Sequence, residues 1–427
     1  MIIDKISQSD KVLILGFARE GQSTYKYLRA KFPELIIGLA DQKTPDWLPD
    51  DPLIHIQFGE NYLKIENWKL VIKSPGISPH KPELVAAKKR GAVFTSHTEI
   101  FFEVCPSKNT IGITGTKGKS TTTSLIYEVI KKSSLPVVLV GNIGRPALDF
   151  LPEITPDTWV VLELSSYQLM DLQTSPHIAV LQAIYSDHLD YHTGFEEYKN
   201  AKYNITNFQS AKDYLITQTD IPTLAKKIIF SFNDFGPATK TKLLGKHNRL
   251  NIIPALKVAE ILNLPKDKLY AAVKEFTPLD TRLQPVGTKK GIEFYSDTLA
   301  TIPEATIAAI DALHPKVTTL IAGGHDRKQN YSELAKKILS SGIKTLIAFP
   351  ATGPRIWSEI ISVKQNPNIG YYYTESMQDA VKLALDHTAS GEICLLSPAA
   401  PSFTLFKDYR DEAEQYIKFI TGSTIAG

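Results

Sequence analysis

Residues 112–120, GITGTKGKS, combine glycine, lysine and hydroxyl side chains in an order that suits binding of a nucleotide phosphate. The glycines allow backbone amides to turn inward, and the helix predicted to begin near Lys119 points its positive end at the same place. Lys119 is suited to bridging phosphates, and Ser120 offers a hydroxyl ligand for Mg²⁺. The common loop G-x-x-x-x-G-K-[ST] would have its first glycine at Ile113, so the spacing differs. An ordinary glycine-rich turn is the alternative.

Acidic and imidazole side chains follow two later apolar runs. Glu163 ends the run WVVLE, at the mouth of a predicted parallel strand, where folds with a phosphate loop hold a metal ligand. His188 follows the next run and is placed to complete a Mg²⁺ site. Asp190 and His192, in the same segment, are equally consistent with a solvated loop, and Glu163 alone with a helix N-cap.

Polar residues recur at turns nearer both ends of the chain. In the N-terminal part, the turn after KVLILG and the acid Asp41 resemble a dinucleotide-binding arrangement, although an ordinary strand–helix turn explains them equally well. In the C-terminal part, Asp297, the segment GGHDRK and Ser397 each follow a predicted strand. Such strand ends share one edge of a parallel sheet, which predicts a second ligand-binding face.

The elements that must position these residues are short buried strands. Runs rich in valine and isoleucine, each closed by glycine, serine or proline, alternate with helical patterns through most of the chain. The class is α/β with several parallel sheets. Breaks near residues 105 and 285 predict three domains: 1–105, 106–285 and 286–427.

The composition is that of a globular protein, with 43% hydrophobic and 22% charged residues in 427. The net charge of +3 is spread along the chain, so we expect no nucleic-acid partner. No run of 18 apolar residues and no signal-peptide pattern occur, so we expect no membrane insertion. Two cysteines favour a reducing, cytoplasmic location. We also expect a monomer.

A series of motifs along nearly the whole chain resembles the Mur ligase family. They occur in the family's order: GITGTKGKS, ELSSYQL, SDHLDYH, GKHNRLN, GGHDRK and LLSPAAPSF. The first is similar to the family's own phosphate loop, which accounts for the unusual glycine spacing. The likeness is greatest to members that add glutamate to UDP-N-acetylmuramoyl-L-alanine. It implies a Rossmann-like N-terminal domain, a central ATPase domain of the phosphate-loop type and a Rossmann-like C-terminal domain.

The resemblance also implies the reaction. The substrate's alanyl carboxylate would take the γ-phosphate of ATP, and the amino group of glutamate would attack the resulting acyl phosphate. Two Mg²⁺ ions would assist. Lys202, by itself interpreted as a surface lysine beside Lys199 on a helical pattern, matches a lysine that is carbamoylated in relatives.

The resemblance implies roles for individual residues. Catalytic residues would be Lys119, Glu163, His188 and Lys202. Metal ligands would be Ser120, Glu163, His188 and carbamoylated Lys202. ATP would contact Gly115, Thr116, Lys117, Gly118, Lys119, Ser120, Thr121, Asn248, Arg282 and Asp297. The UDP-linked substrate would contact Phe17, Ala18, Arg19, Asp41, Ser74, Gly76, Asn142, Ser165 and His192. The incoming amino acid would face Lys328, Ser397 and Phe403.

Several departures from the family pattern lie in the C-terminal part of the chain. Leu299, Thr404 and Asp411 stand where relatives commonly carry lysine, aspartate and glycine. A subgroup that adds L-glutamate similarly lacks that lysine, so both enantiomers stay open, with D-glutamate favoured by the family as a whole. The remaining alternatives are a folylpolyglutamate-type ligase, a non-catalytic Mur-like regulator and a simple phosphate-loop kinase or ATPase.

Overall fold

The computed structural model describes residues 1–187, 191–236 and 239–422. Two compact units divide the chain: Met1–Gly236 with Asn251–Val273, and Pro237–Leu250 with Lys274–Gly427. The first unit contains two sheets and the second contains one. The α/β class with parallel sheets is confirmed, whereas the division into three domains at residues 105 and 285 stays a prediction.

The first sheet is entirely parallel. Its strands are β1 (Lys11–Leu15), β2 (Ile36–Asp41), β3 (Ile54–Phe58), β4 (Leu70–Lys73) and β5 (Val93–Thr95). Its helices are α1 (Ile2–Ser7), α2 (Arg19–Lys31), α3 (Pro82–Lys89) and α4 (His97–Val104). The strand order is β3-β2-β1-β4-β5, so the order reverses beside β1. Ligands of such sheets bind at the carboxyl ends of the strands where the order reverses.

Strand β1 shows why the apolar runs form buried strands. Val12 and Ile14 pack into one hydrophobic cluster, while Leu13 and Leu15 pack into another on the opposite face. Successive side chains of a strand point to opposite faces, so a sheet covered by helices on both sides requires an uninterrupted apolar run.

The second sheet carries the predicted phosphate loop. Its strands are β6 (Thr110–Thr114), β7 (Val137–Gly141), β8 (Trp159–Glu163), β9 (Ile178–Leu181), β10 (Tyr214–Thr217) and β11 (Lys226–Ile229). Its helices are α5 (Lys119–Lys132), α6 (Ser166–Leu169) and α7 (Phe195–Tyr203). All neighbours are parallel in the order β11-β10-β9-β6-β8-β7. The loop therefore follows β6, which lies between β9 and β8.

The helices α8 (Lys246–Ile261) and α9 (Lys266–Glu275) precede the third sheet. Its strands are β12 (Gln284–Lys289), β13 (Ile292–Ser296), β14 (Val317–Ala322), β15 (Thr345–Ala348), β16 (Gly370–Tyr373) and β17 (Ile393–Leu396). Its helices are α10 (Pro303–Leu313), α11 (Ser332–Ser340), α12 (Thr352–Val363), α13 (Met377–His387) and α14 (Tyr409–Thr421). Only β12 is antiparallel to its neighbour in the order β12-β13-β17-β14-β15-β16.

Short 3₁₀ segments occupy Gly59–Asn61, Ala147–Glu153 and Phe232–Asp234. Within the ranges that the structure describes, no helix combines the length and the apolar character needed to cross a bilayer.

Candidate active site

The loop between β6 and α5 depends on a glycine at its last position. Gly118 precedes α5 with a φ of +87°, in the left-handed region that favours glycine. A Cβ atom there would lie 2.1 Å from Oδ1 of Asn251, so a side chain would displace that amide. The first helical residues are Lys119, Ser120 and Thr121, so the backbone amides of the first turn of α5 lie beside the loop, as anion binding requires.

Two lysine side chains meet at the start of this loop. Lys119 Nζ donates to the carbonyl oxygens of Gly115 at 3.0 Å and Thr116 at 3.1 Å. Lys202 Nζ, on α7, donates to the same Gly115 oxygen at 2.8 Å. Lys202 is only 2% exposed and lies 4.6 Å from the centre of the Tyr198 ring. Burial, and then the charge of Lys119, lower the pKa of Lys202 well below its usual value.

The interpretation of Lys202 as a surface residue, which its helical pattern alone favoured, is therefore wrong. Helix α7 buries Tyr198, Ala201 and Lys202 on one face, because residues three and four apart lie on the same side of a helix. Lys199, by contrast, pairs with Glu196 at 2.7 Å on the outer face. The buried face also fixes the loop, since the Tyr198 hydroxyl lies 2.9 Å from Oγ1 of Thr116.

Glu163 is a buried carboxylate with one unused oxygen. It ends β8 and pairs in register with Ile113, immediately before the phosphate loop. Its Oε1 accepts a hydrogen bond from Asn142 Nδ2 at 2.8 Å, whereas Oε2 has no hydrogen-bond partner among the described residues. The side chain is 1% exposed. An unpartnered buried carboxylate oxygen is costly and fits a cation ligand.

The oxygen atoms of these side chains are suitable ligands for Mg²⁺ bound together with a nucleotide. Hard cations prefer oxygen ligands, and Mg²⁺ in phosphate-transfer sites takes few from the protein and the rest from phosphate and water. Residues 1–187, 191–236 and 239–422 contain no group of three or more acidic, histidine or cysteine side chains that could hold a metal ion by themselves. Glu163 and Ser120 supply suitable oxygens. The predicted ligand His188 lies outside the described residues.

A hydrogen-bond network beneath the loop involves residues that sequence analysis missed. Gln182 Nε2 donates to Thr122 Oγ1 at 2.6 Å and to Asn251 Oδ1 at 3.0 Å. Thr122 in turn donates to the backbone oxygen of Asn251 at 2.8 Å. The network joins β9, α5 and α8 where Gly118 approaches Asn251. The sequence signal that could have indicated this network is that a polar residue, Gln182, directly follows the apolar run IAVL.

Lys117, at the tip of the phosphate loop, lies near an acid. Its Nζ is 3.8 Å from Oδ2 of Asp187, which is buried after β9. The pair ties the loop to the segment that leads to His188.

The N-terminal residues predicted to bind the UDP-linked substrate come together at one end of the first sheet. Gly16 packs so closely on Ser74 that an added Cβ would lie 2.4 Å from the serine Cβ. The amide of Phe17 donates to Asp41 Oδ2 at 2.6 Å. Ala18 is the N-cap of α2, Arg19 is its first residue, and Gly76 lies two residues beyond Ser74. The Arg19 guanidinium donates to the carbonyl of Gly144.

Ser165 and His192 occupy structural positions beside this region. Ser165 caps α6 in a reciprocal capping box with Gln168, whose amide also donates to Glu20 at 2.8 Å. His192 is buried, with Nε2 3.0 Å from Ser166 Oγ and Nδ1 3.6 Å from a carboxylate oxygen of Glu197. Burial lowers the pKa of His192. Their contact with substrate stays a prediction.

In the second unit, Asp297 links a backbone turn to the end of the last strand. Its Oδ1 accepts from the amide of Leu283 at 3.0 Å, and its Oδ2 accepts from Ser397 Oγ at 3.2 Å. Ser397 is buried and its hydroxyl also lies 2.9 Å from Thr306 Oγ1. Leu283 has a φ of +45°, so this hydrogen bond holds a strained turn.

The other residues predicted in this unit lie at helix and loop starts. Asn248, in the first turn of α8, donates to the carbonyl of Leu244 at 2.8 Å. Burial and then the charge of Arg282 lower the pKa of His247 to about 4, which places Arg282 near this helix start. Lys328 adopts a φ of +57°, and its amide donates to Asp326 at 2.7 Å. Phe403 is 60% exposed.

Comparison with known proteins agrees with this geometry. A model described as the Mur ligase middle domain matches residues 113–236, and one described as the Mur ligase glutamate ligase domain matches residues 281–400. The UDP-N-acetylmuramoylalanine–D-glutamate ligase of Acetivibrio thermocellus is 32% identical over 86% of both chains. The UDP-N-acetylmuramoyl-L-alanine–L-glutamate ligase of Xanthomonas oryzae pv. oryzae is 30% identical, covering 95% of this chain and 94% of its own.

A solved structure shows the same fold at lower identity. The MurF ligase from Thermotoga maritima in complex with ADP aligns with a TM-score of 0.60 and 16% identity, covering 96% of this chain and 93% of that chain. Parallel sheets with a phosphate loop at the reversal point of one of them define an α/β nucleotide-binding protein. The chain belongs to the Mur ligase family. The resemblance inferred from the motifs is thus confirmed.

Proposed function

We propose that this chain catalyses the ATP-dependent addition of glutamate to UDP-N-acetylmuramoyl-L-alanine, a step in the synthesis of peptidoglycan precursors. The relatives named above carry out this type of ligation according to their names. The observation that carries the proposal is the meeting of Lys119 and Lys202 at Gly115, because it supplies two amino groups beside a phosphate loop. Glu163, with its unused oxygen, follows the neighbouring strand.

The proposed reaction has two steps. The alanyl carboxylate attacks the γ-phosphorus of ATP, forming an acyl phosphate and releasing ADP. The neutral amino group of glutamate then attacks the acyl carbon, so that an amide forms and inorganic phosphate leaves. Lys119 and the amides at the start of α5 hold phosphate oxygens.

Mg²⁺ fits this site and, when bound, neutralises phosphate oxygens during transfer. Ser120, Glu163 and His188 are the proposed protein ligands, with Lys202 joining them as a carbamate. The environment of Lys202 supports carbamoylation, since a lowered pKa leaves more of the side chain as the neutral amine that attacks CO₂.

The proposal includes the substrate contacts predicted from the motifs. In the first unit, the turn of Phe17, Ala18 and Arg19 meets Asp41 and the Ser74 segment, which supports a single site for the uridine diphosphate group. Asn142, by holding Glu163, orients a metal ligand as well as lining the substrate site. A cytoplasmic location also belongs to this proposal, and the two buried free cysteines suit a reducing compartment.

Phosphate release from ATP tests the function directly. Purified protein is incubated with UDP-N-acetylmuramoyl-L-alanine, Mg²⁺ and ATP, with D-glutamate, L-glutamate or neither. We expect release that requires one enantiomer, and formation of an amide product of matching mass. Lys119→Ala serves as the control for contaminating ATPases.

Each outcome of this assay has a defined meaning. Because the two relatives are named for opposite enantiomers, the arm that supports release decides between D- and L-glutamate. In a further arm, a reduced pterin carboxylate replaces UDP-N-acetylmuramoyl-L-alanine. Glutamate-dependent phosphate release in that arm alone would favour a folylpolyglutamate-type ligase. No glutamate-dependent release in any arm would overturn the proposal and favour a non-catalytic role.

A further inference from the structure

Glu412 is a buried acid that the proposed reaction does not use. It lies in the first turn of α14 and is 0% exposed, in the second unit. Its Oε2 accepts a hydrogen bond from the Ser402 hydroxyl. No donor within the described ranges reaches its Oε1. A fully buried carboxyl group with a single hydrogen bond costs free energy of folding, so its presence at this position requires a specific explanation.

The partner, Ser402, begins an exposed turn. The carbonyl oxygen of Ser402 accepts from the amides of Leu405 at 3.4 Å and Phe406 at 3.2 Å, which closes the turn at residues 402–406. Phe403 lies at its tip with most of its ring in solvent, whereas Phe406 is buried and lies 5.6 Å from the ring of Phe349. The turn is thus anchored at both ends and exposed between them.

The segments on both sides of the turn are held by hydrogen bonds to their backbone amides and carbonyls. Before it, the carbonyl of Pro401 accepts from the amide of His325 at 2.7 Å. After it, the amide of Lys407 donates to Asp411 at 2.9 Å, and Thr298 Oγ1 donates to the carbonyl of Tyr409 at 2.8 Å. At the start of the turn, the Ser402–Glu412 hydrogen bond is the side-chain contact that fixes Ser402 to α14.

We propose that Glu412 is a positioning residue for the incoming amino acid: by accepting the Ser402 hydroxyl, it holds turn 402–406 so that Phe403 faces the amino-acid site. The inference rests on the proposed function, in which Phe403 faces glutamate. Glu412 itself is buried and acts through Ser402. A purely structural role would lower the stability of the whole unit and would change the kinetic constants of all three substrates together.

Steady-state kinetics with each substrate varied in turn separates these roles. Glu412→Leu keeps the site apolar and removes the acceptor, and Ser402→Ala removes the donor. Each should raise KM for glutamate roughly tenfold, the effect of about one lost hydrogen bond, with KM for ATP unchanged. Glu412→Gln keeps an acceptor oxygen and should stay within about threefold of wild type. Glu414→Gln, exposed on the same helix, is the matched control.

A double variant tests whether Glu412 acts through Ser402. In the Ser402→Ala background, Glu412→Leu should add less than about twofold to KM for glutamate, because the contact is already lost. The inference would be overturned if the two substitutions raised KM for glutamate independently, so that their effects multiplied in the double variant. It would also be overturned if KM for glutamate were unchanged in both single variants, or if KM rose equally for all substrates. If Glu412→Leu does not fold, Ser402→Ala and Glu412→Gln decide. An inactive wild type would reject the proposed function instead, since these comparisons require an active enzyme.

Discussion

The ammonium groups of Lys119 and Lys202 donate to the same carbonyl oxygen, that of Gly115, at 3.0 and 2.8 Å. Two positive charges so close together, one of them almost fully buried, disfavour each other. Loss of one proton from Lys202 gives a neutral amine, and its reaction with CO₂ would form a carbamate and release a second proton. The negative charge of the carbamate would attract Lys119 instead of repelling it. The arrangement therefore supports the proposed carbamoylation of Lys202.

Lys202→Ala should lower kcat by about a hundredfold or more, because a charged group at the phosphate loop is lost. Bicarbonate or a short carboxylate such as acetate should restore part of the activity by filling the space with a negative charge. Rates of glutamate-dependent phosphate release measure both effects. Lys199→Ala, on the outer face of α7, should retain wild-type rates. Full activity of unrescued Lys202→Ala would contradict the role.

Glu163→Gln should weaken Mg²⁺ binding, so that activity requires a higher Mg²⁺ concentration, while leaving the fold intact. The amide can still accept from Asn142, but the unused oxygen loses its charge or is replaced by nitrogen. We expect kcat/KM to fall by roughly a hundredfold at fixed Mg²⁺, corresponding to about 2.7 kcal/mol of lost electrostatic stabilisation. A Mg²⁺ titration of activity is the measurement.

Removal of Mg²⁺ with a chelator should abolish activity in the same assay, and added Mg²⁺ should restore it.

The control for the Glu163 variant is Glu153→Gln, because Glu153 is an exposed acid that pairs with Arg145 at 2.6 Å. An unchanged Mg²⁺ requirement in Glu163→Gln would argue against its role as a ligand.

Most of the sheet cores could be predicted from sequence because buried parallel strands need continuous apolar runs, as in β1, β8 and β9. The edge strands β11 and β16 have no such signal. Their sequences, KKII and GYYY, are partly exposed, and each is stabilised by pairing with one neighbour. Edge strands of this kind depend on backbone partners that composition does not reveal.

The site was predictable where a short motif carries it and not where distant segments meet. Gly118, Lys119 and Ser120 are adjacent in sequence, so their joint position follows from one strand–loop–helix unit. Burial of Lys202 depends on Gly115, 87 residues earlier. Likewise, Gln182 finds its partners 60 and 69 residues away, in α5 and α8. Local patterns contain no information about such contacts.

Gly118→Ala should destabilise the protein and weaken ATP binding. Alanine at this positive φ costs about 1 kcal/mol, and displacement of Asn251, which Gln182 holds, should add about 1–3 kcal/mol. Gly91→Ala isolates the first cost, because Gly91 has a φ of +92° and no atom within 4 Å of an added Cβ. Thermal unfolding and ATP titration of both variants measure the difference. Equal losses of stability in Gly118→Ala and Gly91→Ala would show that Asn251 moves away at no cost in free energy.

Ionisation of Glu412 should make the second unit less stable as pH rises. Burial raises the pKa of its carboxyl from 4.5 to about 8, so the folded chain retains a proton that the unfolded chain releases above pH 4.5. The stabilisation is complete below pH 4.5 and is lost as pH increases towards 8. Over this range, wild type should lose about 1.4 kcal/mol per pH unit relative to Glu412→Gln, which cannot ionise.

Thermal unfolding of wild type and Glu412→Gln between pH 5 and pH 9 measures this difference. The slope with pH is the readout, since an unpaired amide N–H in the variant gives an offset that pH does not change. Glu414→Gln, at an exposed position of the same helix, is the matched control. If the stabilities of wild type and Glu412→Gln changed with pH by the same slope, the Glu412 carboxyl would have to reach solvent or another partner when it ionises.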